Sequence, residues 1–100
     1  GEELREEGVG IRGPIKGREL ERWIEPKYPA WAQKQGIEGK VEVKCLVLPN
    51  GVVRSVETVL SSGWPELDEY ACQVLMKWKF GPIKEEEIQW GIVPFEFELE

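Results

Sequence analysis

GKVEVKCLVLPNGVVRSVETVL, residues 39–60, contains two strands and the turn that joins them. Val41, Val43, Cys45 and Val47 alternate with Glu42, Lys44, Leu46 and Leu48, the period of two expected of a strand with one apolar face. Pro49-Asn50-Gly51 interrupts the run, and an Asn-Gly pair, which accepts positive φ, is a strong hairpin signal. The return strand is β-branched through Leu60, but Val53 and Val56 stand three apart rather than two. If both face the core, the strand carries a bulge near Arg54 and Ser55.

Downstream, Ser61-Ser62-Gly63 ends the hairpin and Pro65-Glu66-Leu67-Asp68 opens a helix with proline and acids in its first turn. Leu67, Ala71, Val74, Leu75 and Trp78 form one apolar stripe at helical spacing. Lys77 and Lys79 fall in the predicted last turn, where cations suit the helix dipole, and Gly81-Pro82 is the expected stop. Trp78 and Phe80 read as core anchors, whereas Trp64 and Trp90 are candidates for the rim of a partner site. After a charged loop, Lys84 to Glu87, alternation returns from Ile88 to Leu99. Val93, Phe95, Phe97 and Leu99 are expected to face the core; Ile88, Trp90, Ile92, Pro94, Glu96 and Glu98 face away. Pro94 has no amide proton for a ladder, so this strand belongs at a sheet edge.

Upstream, YPAWAQKQG (residues 28–36) predicts a helix of about two turns, too short to stand without tertiary contacts. Pro29 is read as its first position, Gly36 as its end and Trp31 as its anchor. Residues 8–27 read as an extended arm that packs Trp23 or Ile24 onto the domain. The tetrapeptide GPIK recurs at 13–16 and 81–84 with unmatched flanks, a coincidence rather than a repeat.

The element order is therefore helix, strand, strand, helix, strand. A tight hairpin followed by a helical crossover makes the third strand antiparallel to its neighbour only if it pairs with the first. The fold expected is α+β: a three-stranded antiparallel sheet of order 2-1-3 with two helices on one face. One hundred residues make a single domain, divided here into an arm, 1–25, and a globular part, 26–100.

Composition narrows the chemistry. There is no histidine, which excludes Ser-His and Cys-His nucleophiles and His-ligated zinc. Cys45 and Cys72 lie 27 positions apart, with no metal-ligand spacing; a disulfide and two free thiols both remain open. With no base for either thiol and no placed carboxylate pair, the chain is not read as an enzyme, and no cofactor is implied. A net charge of -6 argues against nucleic acid and anionic membrane as partners. Half of that charge comes from Glu2, Glu3, Glu6 and Glu7 against Arg5, a leader read as a solvated tail. No apolar run reaches the 18 or so residues of a membrane span. A protein partner is the expectation that survives.

The last strand suggests where it binds. Pro94, Glu96 and Glu98 blunt its far half, but Ile88 to Val93 is not blunted and can accept an extended peptide as a fourth strand. Cover by the N-terminal arm and pairing in a homodimer are the alternatives, and pattern alone leaves all three open.

Taken together, YPAWAQKQGIEGKVEVKCLVLPNG, SSG with PELDEYA, WKF followed by GP, and a closing apolar strand resemble the C-terminal domain of the TonB family, over about residues 26–99. The resemblance implies the fold just derived. It further implies a periplasmic domain that grips the TonB box of outer-membrane transporters by β-strand addition to its last strand. In that family the domain transmits force from the proton-driven inner-membrane motor for active import, working with ExbB and ExbD through an N-terminal membrane helix. Carried over by position, the partner-binding residues are Ile88, Gln89, Trp90, Gly91, Ile92, Val93, Pro94, Phe95 and Glu96. Pro94 departs from the pattern by removing a donor. Either pairing is confined to the strand's N-terminal half, or Pro94 turns its missing amide outward at a bulge. Lys77 and Lys79 are secondary candidates for contact with a charged transporter plug. Residues 8–25, with GPIKGREL, fall outside the mapped region and are placed to compete for the edge. A TolA-like envelope scaffold and a strand-swapped dimerisation domain are the alternative readings of the same fold.

Overall fold

The computed structural model describes residues 10–99; the acidic leader lies outside the described residues. A 3-10 turn at Pro14–Gly17 is followed by β1 (Leu20–Arg22), α1 (Ala30–Lys34), β2 (Gly39–Val47), β3 (Val53–Leu60), α2 (Pro65–Met76), β4 (Lys79–Phe80) and β5 (Gln89–Phe97). The main sheet has the order β3-β2-β5, antiparallel throughout, the 2-1-3 arrangement expected from the sequence.

The hairpin turns where Asn-Gly places it, with Gly51 at φ 96° and its carbonyl accepting from the Phe80 amide at 2.9 Å. The expected bulge is present: Val53 pairs with Val47 but Ser55 with Leu46, so Arg54 is the inserted residue and Val56 returns to the core side opposite Cys45. β2 and β5 hold one unbroken register from Gly39↔Phe97 to Val47↔Gln89.

Val41, Val43, Cys45, Val47, Val93, Phe95 and Phe97 form the sheet's buried face, packed with Leu67, Ala71, Val74 and Leu75 of α2, Ala32 of α1, and Trp78 and Phe80 beyond α2. Both thiols are free, and burial pushes the Cys45 thiol up to about 11. The start of α2 is tied to the preceding turn by Asp68, which accepts from the Ser61 hydroxyl, the Ser62 amide at 2.9 Å and the Ser62 hydroxyl at 2.7 Å. Burial alone would raise the Asp68 carboxyl, but these hydrogen bonds outweigh it and hold it below its ordinary 3.8.

Four expectations need correcting. First, α2 ends at Met76, with Lys77 as its C-cap, so neither Lys77 nor Lys79 lies in its last turn and Gly81-Pro82 is not its stop. The chain turns earlier because Trp78 is buried, its indole N–H donating to the Ile24 carbonyl at 3.0 Å, and Lys79 and Phe80 pair with β1. Lys79 is instead bound to Glu21 at 2.9 Å. Second, α1 begins at Ala30 with Pro29 as N-cap, and its buried residue is Ala32; Trp31 is 37% exposed and does not anchor it. Third, Leu99 lies beyond β5 and is exposed. Fourth, the arm is not simply extended. Its 3-10 turn and β1 are structured, and it gives Ile11 and Ile15 to the core, with Trp23 and Ile24 packed against it.

Candidate functional site: the outer edge of β5

In an antiparallel strand each residue sends its N–H and C=O to the same side, and the side alternates along the chain. Ile92 donates to the Arg12 carbonyl at 2.9 Å and accepts from the Arg12 amide at 3.0 Å. The Ile92 backbone thus points away from β2, and with no register shift between β2 and β5, Trp90, Pro94 and Glu96 point the same way. Gly91, Val93 and Phe95 turn their backbone groups toward β2; Val93 and Phe95 line the core, and Gly91 lies against Ile15.

The nine residues carried over from the sequence therefore separate by parity. Trp90, Ile92, Pro94 and Glu96 carry the edge, whereas Gly91, Val93 and Phe95 hold it to the sheet. Gln89 starts the strand and accepts from Arg18 Nη1 at 3.3 Å; Ile88, just before it, is exposed. Pro94 costs the β2–β5 ladder nothing, because the amide it lacks would point outward, and it does so without a bulge. On the solvent face, Trp90 is exposed with Lys44 Nζ 5.8 Å from its ring centroid, a cation-π contact. Lys40 and Arg12 both pair with Glu42, at 3.6 and 3.0 Å.

Residues 10–18 run along this edge, and the sequence offered little sign of them. Gly13, at φ 96°, lies so close to the Trp90 ring that a β-carbon there would stand 2.8 Å from Cζ3. Ile15 is 1% exposed and fills the space that a Gly91 side chain would need. Arg18 hydrogen-bonds the carbonyls of Gly81, Leu48 and Pro49 as well as Gln89, and burial lowers its guanidinium from the ordinary value. The one available signal was Ile11 and Ile15, apolar and four apart on either side of Gly13-Pro14. Beyond Arg12, the Pro94–Glu96 half of the edge borders a groove of about 520 Å³, lined also by Gly10, Glu25, Pro26 and Lys40.

A three-stranded antiparallel sheet with helices on one face and a nine-residue strand at its edge defines a small α+β domain. Residues 24–99 match the family described as Gram-negative bacterial TonB protein C-terminal, and the chain belongs to that family. It is a family of transducers and not of enzymes. The chain is 36% identical to Protein tonB2 of Pseudomonas aeruginosa over 77 residues, 74% of this chain and 28% of that protein. It is 36% identical to Protein TonB of Vibrio cholerae over 59 residues, 59% of this chain and 24% of that one. The chain thus spans about a quarter of the length of these relatives. Its fold is similar to the solution NMR structure of the Pseudomonas aeruginosa TonB C-terminal domain, with a TM-score of 0.67 and 26% identity, covering 91% of this chain and 88% of that one.

Proposed function

We propose that this chain is the periplasmic, transporter-gripping domain of a TonB-type energy transducer. In this reading it takes the TonB box of an outer-membrane transporter as an added strand on β5. It then transmits force from an inner-membrane motor formed with ExbB and ExbD, to which an N-terminal membrane helix connects it. Family membership supports the class of protein. The observation that carries the binding mode is the outward row on β5, where the amides of Trp90, Ile92 and Glu96 point away from β2, that of Ile92 being held by Arg12 in the free chain. No titrating group is needed, because main-chain bonds supply affinity and the neighbouring side chains supply selectivity.

The test is titration of a TonB-box peptide into isotope-labelled protein. The amides of Trp90, Ile92 and Glu96 shift most, those of Gly91, Val93 and Phe95 less, and affinity is weak because ordering a flexible peptide consumes much of the interaction energy. A saturating titration that leaves the residue 88–96 amides unmoved overturns the reading.

A further inference from the structure

The edge that would receive a partner strand already holds a piece of this chain, and we infer that the Gly10–Gly13 segment is an intramolecular competitor that must lift off β5 before a partner strand can add. The inference rests on the strand-addition reading above. Arg12 takes both outward bonds of Ile92, at 2.9 and 3.0 Å, the same two bonds that an added strand would make at that position. Gly13 lies against Trp90, so the contact also covers the side chain beside the next outward amide.

The polar hold of the segment on the edge is slight, and Ile11, 4% exposed, is its one buried side chain. Arg12↔Ile92 is a single bridge rather than a strand pairing, and the Arg12–Glu42 ion pair beside it leaves the arginine side chain 58% exposed. Such a contact contributes little in water. The anchors lie farther along the arm: Ile15 is buried over Gly91, and Arg18 is bonded to three other segments. Releasing residues 10–13 therefore uncovers the edge at the cost of withdrawing Ile11 from the core, which favours the closed arm, while Ile15 and Arg18 stay in their sites. The competitor stays tethered beside the edge, so it recloses whenever a partner leaves.

Apparent affinity falls by the fraction of time that the edge is open, so an arm closed about nine-tenths of the time weakens peptide binding about tenfold. Arg12→Pro removes the amide that donates to Ile92, and Gly13→Val forces a strained φ and a clash with Trp90; both leave Ile15 and Arg18 in place. The experiment measures TonB-box peptide affinity for the full chain and both variants, with amide hydrogen exchange at Ile92 and Val93 in the free chain. Expected are peptide binding roughly tenfold tighter in both variants and an Ile92 amide that exchanges well before that of Val93, which faces β2. Unchanged affinity, with the β5 amides still shifting, overturns the inference and leaves the strand-addition reading intact. So does an Ile92 amide as slow as that of Val93, the mark of a permanent fourth strand. If the peptide shifts no β5 amide in any of the three proteins, the strand-addition reading itself fails and takes this inference with it.

Discussion

Arg18 holds the carbonyl of Gly81 between two guanidinium nitrogens, Nε at 3.1 Å and Nη2 at 2.7 Å. The same Nη2 lies 3.0 Å from the Leu48 carbonyl and 3.2 Å from that of Pro49, so one side chain ties the arm to the hairpin turn and to the loop that leads into β5. This geometry needs a planar fork; a lysine ammonium could satisfy one of these carbonyls but not bridge them. Arg18→Ala should lower unfolding free energy by about 2 kcal/mol in a denaturant titration, the scale of hydrogen bonds to a charged group. Arg18→Lys should recover less than half of that loss. Full recovery by lysine would mean that charge alone, and not the bridging, stabilises the arm.

Ile15 and Gly91 are similarly matched, because the isoleucine occupies the place of a Gly91 side chain. Gly91→Ala should displace the 3-10 turn and destabilise the fold by about 1–3 kcal/mol, the usual cost of overfilling a packed site. Ile15→Ala should also destabilise, by leaving a cavity. The pair should not add: with Ile15→Ala in place, Gly91→Ala should cost at least about 0.5 kcal/mol less, as a double-mutant cycle measures. Additive losses would show that the turn does not depend on this contact.

Asp68 gives a pH signature with a definite sign. Its carboxyl is held below 3.8 in the fold, so folding favours the ionised form. The resulting stability is fully present above the unfolded value and is lost as the pH falls through the lower folded value. Asp68→Asn should be less stable than the parent at pH 7, with the gap closing as both are titrated below 3.8. Denaturant midpoints of the two proteins across that range provide the measurement, and a gap constant down to the acid limit would assign the loss to geometry rather than charge.

The sheet was legible in the sequence because its signals are local. Alternation from Val41 to Val47, the Asn50-Gly51 turn and the odd spacing of Val53 and Val56 determine strand, hairpin and bulge without reference to distant residues. Pro94 located the edge for the same reason, since its missing amide acts wherever the strand sits. What could not be read depends on contacts made across the chain. α2 stops at Met76 because Trp78 is drawn to Ile24 and Phe80 to Leu20, 54 and 60 positions away, overriding a stripe that continues helical spacing. Trp31 was read as an anchor from its size, yet the buried position on α1 belongs to Ala32, the smaller residue that brings the helix close. The arm's hold on the edge rests on Gly13, Ile15 and Arg18, each interpretable only once its partner on β5, or in the loops beside it, is known.

Pro94 leads to a prediction about the edge itself. Trp90, Ile92 and Glu96 point donors outward, and Pro94 interrupts that row while leaving every bond to β2 in place. A peptide laid along the strand therefore has one carbonyl that faces no donor. Pro94→Ala supplies the missing amide on the open side, and the added hydrogen bond, worth about 1 kcal/mol, corresponds to roughly fivefold tighter binding of a TonB-box peptide. The amide at position 94 of P94A should be among those that shift most on titration. The Val93 and Phe95 amides should keep their slow exchange, because they face β2 and do not depend on position 94. If P94A binds no more tightly, the peptide does not extend past Ile92, and pairing is confined to the N-terminal half of the strand.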